Sequence, residues 1–383
     1  MKNCVVVLGL LLLLGSLSFA ATSYVITNND NASANSSTIY TLNTSNGTLT
    51  SFKKLNTGGL GNSGGFFAEV SNAISRDAKC IYVYDGGSSD IAAFATSNLQ
   101  KVGNYSNPSL NGNFPGGSLA LTPNGAYLYA TYAGTENIGA WKRNSDCSLT
   151  FIAAYTAKSG ADTYSNLIVD PTGKGLLVSV EDLGYIELFL INSNGTLKDV
   201  AAANLNNLPC NDPNIGCFPA GLDITKGEFL IAGNAILGGG AFTTQLTAKS
   251  PFFTKTAYVD LTNSAALCNS EVPWLSAAAY STGTGPMYMG FSGFGAGCQP
   301  GVLTTTLSGG TLTLGKATPI NSPNLYDGLI QNTGKWMVVS EWFNQLQVFQ
   351  INNDGSLTAT SQGPVTDNDA NGALTFFIYP QTR

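Results

Sequence analysis

The chain has 383 residues, only 10% of them charged, with a net charge of −6 and no histidine. Its three arginines, Arg76, Arg143 and Arg383, are scattered, so the sequence encodes neither a basic surface for nucleic acid nor an arginine clamp for phosphate. Without histidine there is no serine–histidine nucleophile pair and no zinc-ligand spacing.

The N-terminus reads as a secretory signal over residues 1–20. Lys2 is its charged region, residues 5–14 its apolar core and Ser18-Phe19-Ala20 a small-x-small cleavage site. The apolar core is short for a membrane span, and no later segment is apolar enough for one, so a protein that does not span the membrane is expected. Residues 21–383 are read as a single domain.

Within it one phrase recurs about every fifty residues, the spacing of a propeller blade. An apolar strand is followed by a turn, a second apolar strand and a hairpin. Strands are predicted at 24–27, 39–42 and 49–52, then at 68–73, 81–84, 91–95 and 99–105. A third unit has strands at 118–121, 127–132, 137–141 and 149–155, and a fourth begins at 166–169, 176–180 and 185–191. Inner strands of three further units are predicted at 220–224, 275–279 and 327–331. These segments are rich in Val, Ile, Tyr, Phe and Thr, which suit half-buried strands. Outer hairpin turns are marked by Ser45-Asn46-Gly47-Thr48, Ser193-Asn194-Gly195-Thr196 and Asn353-Asp354-Gly355-Ser356. The first unit lacks an inner strand, and the C-terminus has a spare one at 373–379. The fold expected is all-β: a seven-bladed β-propeller with four antiparallel strands per blade, closed by the C-terminal strand pairing with the N-terminal blade. An open six-bladed array with a loose tail is the alternative.

Of seven cysteines, six follow Cys4. An even number fits an oxidising compartment. Cys210 and Cys217 share one short loop and are the first pair. Cys268–Cys298 is placed near the sixth blade, and Cys80–Cys147 follows by elimination across neighbouring blades. Free buried thiols are the alternative.

In a propeller the residues ending each second strand ring one mouth of the central channel. Here they include Asp30, Asp85, Tyr132, Glu181, Asp182, Asn234 and Glu341. Oxygen ligands without histidine suit a hard cation such as Ca²⁺, with Glu181 and Asp182 as ligands. Two carboxylates in unlike environments can also work as acid and base, which singles out Glu181, Asp182 and Glu341 as catalytic candidates. Asp85, Tyr132, Tyr164, Asn234 and Trp342 offer polar tips and aromatic faces for a small polar ligand or a carbohydrate. Solvated acidic loops and aromatics packed between blades are the plainer readings of the same residues.

Asp170-Pro171-Thr172-Gly173-Lys174, followed by Asp182-Leu183-Gly184 and Ile186-Glu187-Leu188-Phe189, resembles the lactonase family of seven-bladed propellers, which includes bacterial 6-phosphogluconolactonase and fungal carboxymuconate cyclase. The segments at 122–129 and 348–351 match the same phrase. The resemblance spans essentially all of residues 21–383 and implies a propeller that hydrolyses a lactone. The family's site residues do not carry over. Its Pro-His before the fourth inner strand is Tyr164-Ser165 here. Its arginine before the fifth inner strand falls at Ala220-Gly221, and its glutamate after the next strand at Asn234-Ala235. Three functions follow: a secreted lactonase-like hydrolase, a non-catalytic extracellular binding or scaffold propeller that has lost the His/Arg site, or a Ca²⁺-dependent hydrolase using the acidic ring. The expected partners are a small polar ligand, a carbohydrate or an extracellular protein, bound by a monomer.

Overall fold

In the computed structural model the described residues are 23–63, 71–110, 117–132, 137–156, 164–205, 217–224, 229–234, 240–250, 252–260, 271–277, 286–292, 300–320, 325–330, 333–341, 344–370 and 375–379. For several strand residues, Asn234, Trp274 and Glu341 among them, only the backbone is described. Residues 1–20, read from the sequence as a secretory signal, lie outside this set. Among the described residues no helix is long and apolar enough to cross a membrane.

Seven antiparallel sheets follow one another around a ring. The first runs from the axis outwards as Thr375–Tyr379, Ser23–Asn28, Ser36–Leu42 and Leu49–Asn56. The second is Asn72–Ile74, Cys80–Asp85, Asp90–Ala95 and Gln100–Tyr105, and the third Leu119–Leu121, Tyr127–Tyr132, Asn137–Arg143 and Leu149–Thr156. The fourth is Tyr164–Val169, Gly175–Val180, Tyr185–Ile191 and Leu197–Asn204. Blades five to seven begin with the inner strands Pro219–Ile224, Glu271–Ala277 and Leu325–Ile330. Each inner strand adjoins the inner strands of the blades on either side, and the seventh adjoins the first, so the ring is closed. Closure is a backbone ladder in which Tyr24 pairs with Tyr379, Ile26 with Phe377 and Asn28 with Thr375. This leaves no open sheet edge at the seam and excludes the six-bladed alternative.

Two inner strands sit slightly off their predicted places, and one short outer strand is additional. The second blade's is Asn72–Ile74, the sixth blade's Glu271–Ala277, and the seventh blade gains the short strand Val365–Thr366 beside Gln345–Ile351. A continuous apolar run marks a buried strand but not its ends, which explains the offsets.

Burial falls from axis to rim. Cys80–Asp85 and Gly175–Val180 are buried along their whole length, whereas most of Leu49–Asn56 is exposed. A second strand is covered on both faces because its blade is stacked between two others, so it reads as an unbroken apolar run. The core is therefore seven layers, one between each pair of blades. Ile26, Ile81, Phe94 and Phe377 fill the layer between blades one and two. Tyr82, Tyr84, Leu128 and Trp141 fill the next.

One contact recurs along the lower edge of these seams. The outer hairpin of a blade is hooked by an aromatic group of the blade before it. Tyr82 donates to the Cys147 carbonyl at 3.1 Å, Tyr129 to Gly195 at 3.1 Å and Tyr288 to Gly355 at 3.0 Å. The Trp336 indole donates to the Thr44 carbonyl at 3.0 Å. The hairpin residue at the centre of each contact has a left-handed backbone, with φ of 74° at Gly47, 82° at Gly195 and 78° at Gly355. At Gly195 a Cβ would also sit 2.3 Å from the Tyr127 ring, so only glycine fits. The third blade is the exception. Cys147 holds the glycine position with φ of 71°, and its partner Cys80 opens the second strand of blade two, as Tyr127 does in blade three. The two form the predicted disulfide, with Cα atoms 5.4 Å apart. Cys217 is disulfide-bonded too. Cys210, Cys268 and Cys298, named in the other two expected pairs, lie outside the described residues.

Candidate functional site

Inner strands begin, and second strands end, at the upper mouth of the channel. The predicted ring residues do come to this level. Asp85 and Tyr132 end second strands, Glu181 and Asp182 follow one, and Asn234 and Glu341 end two more. The side chains of Asn234 and Glu341 are not among those described, and Trp342 lies wholly outside.

The four whose burial is most complete are built into the walls. Asp85 has no exposed surface. Asn35 donates to it at 2.7 Å and Asn104 at 3.5 Å. The same Asn35 amide donates to Asn28 at 2.9 Å, and Asn28 in turn to Ser71 and to the Tyr84 carbonyl, each at 2.8 Å. The backbone at Gly59 lies over the carboxyl, where a Cβ would fall 2.4 Å from Asp85 Oδ2. Burial pushes the Asp85 carboxyl well above the usual carboxylate range, the charge of Asp90 adds to this, and the Thr57 and Asn35 hydrogen bonds oppose it. The result is a polar knot that fastens blade one to blade two.

Tyr132 fills the layer between blades two and three, edge-on to Tyr84 with ring centroids 5.4 Å apart. Its phenol is held far up by burial. Tyr164 fills the layer between blades three and four. It lies opposite Val180 in the strand register, next to Glu181, which is 1% exposed. Beneath it the Ser165 and Ser179 hydroxyls meet at 2.7 Å, and Ser179 Oγ accepts the Asn166 N–H at 3.0 Å. Asp182 is half-buried at the turn. Among the described residues no three His, Cys, Asp or Glu side chains converge as metal ligands do. The inner strands of blades four to seven each slip register near this mouth, at 164/167, 219/222, 271/274 and 325/327. Such irregularities re-aim side chains, and nothing in the repeat phrase marks them.

The lower end of the channel is different, and sequence reasoning did not single it out. A cavity of about 280 Å³ lies there. Ala73 and Ile74 of blade two, Leu119 and Leu121 of blade three, and Leu167 and Val169 of blade four form one wall. Phe377 of the closing strand, packed with Ile74, extends it on one side, and Leu222 and Ile224 of blade five extend it on the other. Thr122, Pro123 and Pro171, from the turns after the inner strands, edge its rim, and Asn166 is the polar side chain on its wall. Among the described lining residues the charged one is Arg76, exposed at the first residue of such a turn but one. The residues around it are already engaged. Arg143 grips Asp77 through two nitrogens, at 3.0 and 3.2 Å, and also reaches Cys80 Sγ at 3.3 Å. Burial alone would raise the Asp77 carboxyl, but the Ser75 and Arg143 hydrogen bonds outweigh it and hold it low. Arg76 itself makes no hydrogen bond or ion pair with the described residues.

No family model matches the chain, and no curated protein does. Solved structures match its fold along nearly the whole length. A protein from Lactobacillus plantarum superposes with a TM-score of 0.73 at 14% identity, covering 93% of this chain and 99% of that one. A protein of Bacteroides uniformis, provisionally assigned as a 6-phosphogluconolactonase, gives 0.69 at 14% identity with the same coverage. One from Bacteroides fragilis, assigned in the same provisional way, gives 0.66 at 18% identity over 94% of this chain and 99% of that one. The architecture of the lactonase-like seven-bladed propellers is thus shared, while at this identity activity does not transfer with it.

Proposed function

We propose that this chain is an extracytoplasmic propeller that binds a small, largely apolar ligand in the lower half of its channel. The observation that carries the reading is the cavity of about 280 Å³, walled by aliphatic side chains from four blades and by Phe377. Preformed apolar concavities with few polar groups are the usual form of a ligand site. The Cys80–Cys147 bridge supports residence in an oxidising compartment. The test is a fragment screen by thermal shift on the protein and on Ala120→Phe, which adds a ring at a lining residue between Leu119 and Leu121. The reading predicts small apolar hits that raise the wild-type midpoint and fail on the variant. Hits that act equally on both proteins, or none at all, contradict it.

A second reading, lactone hydrolysis at the upper mouth, is favoured by Glu181, a carboxyl 1% exposed beside the half-buried Asp182. It is checked on 6-phosphogluconolactone, an unphosphorylated sugar lactone and a muconolactone, with and without Ca²⁺ and corrected for spontaneous opening. Saturable turnover that Glu181→Gln or Glu341→Gln removes establishes it. Rates at background on all three dismiss it.

A further inference from the structure

The lower cavity also bears on the chemical class of its ligand. We infer that it takes an amphiphilic monocarboxylate, with the hydrocarbon in the channel and the carboxylate on Arg76; this rests on the ligand-binding reading above. Three observations converge. The wall formed by Leu119, Leu121, Val169, Leu222 and Ile224 rewards hydrocarbon, and Asn166 is the polar side chain described on it. At roughly 30 Å³ per water-sized group, the volume of about 280 Å³ holds on the order of nine such groups, which is a short chain or one substituted ring. At the rim stands a guanidinium that no described carboxylate answers, on a chain of net charge −6.

That pairing is specific to one arginine. Arg143, one turn away in the neighbouring blade, is spent on Asp77. Asp77, the acid next to Arg76 in sequence, is thereby already paired. Arg76 thus keeps its planar fork of donors for a group arriving from the channel, a geometry that matches a carboxylate bidentately. One cation among the described lining residues, at a mostly apolar mouth, favours one negative charge at one end of the ligand. It disfavours a sugar phosphate, which needs several cations and a polar wall.

The experiment is isothermal titration of the full mature chain with octanoate, kept below its micelle concentration, and with octanamide as the neutral isostere. Wild type is expected to bind octanoate about tenfold more tightly than octanamide. Arg76→Gln is expected to erase that preference, and Arg76→Lys to keep part of it. Arg76 is exposed, so neither substitution should disturb the fold, and circular dichroism of both variants checks this. Ala120→Phe should abolish binding of both compounds. Equal affinity of wild type for octanoate and octanamide, both lost in Ala120→Phe, overturns the anionic class and leaves the cavity reading standing. Octanoate binding that survives Ala120→Phe overturns the assignment to this cavity. Absence of any binding to wild type overturns both.

Discussion

The two ends of the channel are made of the same repeat and have opposite chemistry. At the upper end polar and titratable groups are drawn into the walls, as with Asp85 under Gly59 and Asn35, and Tyr132 and Tyr164 between blades. At the lower end the walls are mostly aliphatic, space is left over, and Arg76, the charged residue among the described lining, makes no ion pair with the described residues. The difference teaches that a residue's place at a channel mouth does not make it a site residue. What matters is whether neighbouring groups have already satisfied it.

The comparison breaks most visibly if an upper tyrosine is removed. If Tyr132 is core, Tyr132→Ala should cost about 3–5 kcal/mol, in the range for deleting a buried aromatic. Tyr132→Phe, which keeps the ring, should cost about 1 kcal/mol or less. Urea unfolding measures both, and an alanine variant as stable as wild type would place Tyr132 outside the core. Next in size is the Cys80–Cys147 bridge, which fastens the lower rim beside Arg76. Replacing both cysteines by serine should cost about 2–4 kcal/mol. Amide exchange should quicken in Asn72–Ile74 and Leu119–Leu121, and a uniform change over all blades would contradict a local role.

The smallest effect concerns pH. Asp85 is held above its ordinary value of 3.8 by burial, so the fold favours its protonated form. Its contribution is then fully present below the unfolded value and fades as pH rises through the folded one. Wild type should lose stability relative to Asp85→Asn as pH climbs from acid to neutral. Parallel pH profiles of the two proteins would show that Asp85 is not desolvated.

The architecture was legible because the repeat states it several times over. Turn glycines, apolar strands and a spare C-terminal strand gave blade number and closure. Even the Cys80–Cys147 bridge follows a repeat rule, since Cys147 takes the left-handed position that Gly47, Gly195 and Gly355 hold elsewhere. The site was less legible for physical reasons. The periodicity brings Asp85, Tyr132 and Glu181 to one level but says nothing of Asn35, Asn104 and Gly59, which close over Asp85 from other turns. The lower cavity is space between strands, made where Leu121, Val169 and Ile224 fail to meet, and no residue type announces space. Arg76 looked like an isolated charge in the sequence, and its isolation is what the structure turns into a rim.

The most direct test of function at the lower end is a methyl NMR titration of the labelled protein with octanoate. The account predicts saturable shifts at Leu121, Val169, Leu222 and Ile224, with Ile91 and Val180 at the upper end unmoved. Shifts confined to Ile91 and Val180, or none anywhere at saturation, would contradict it.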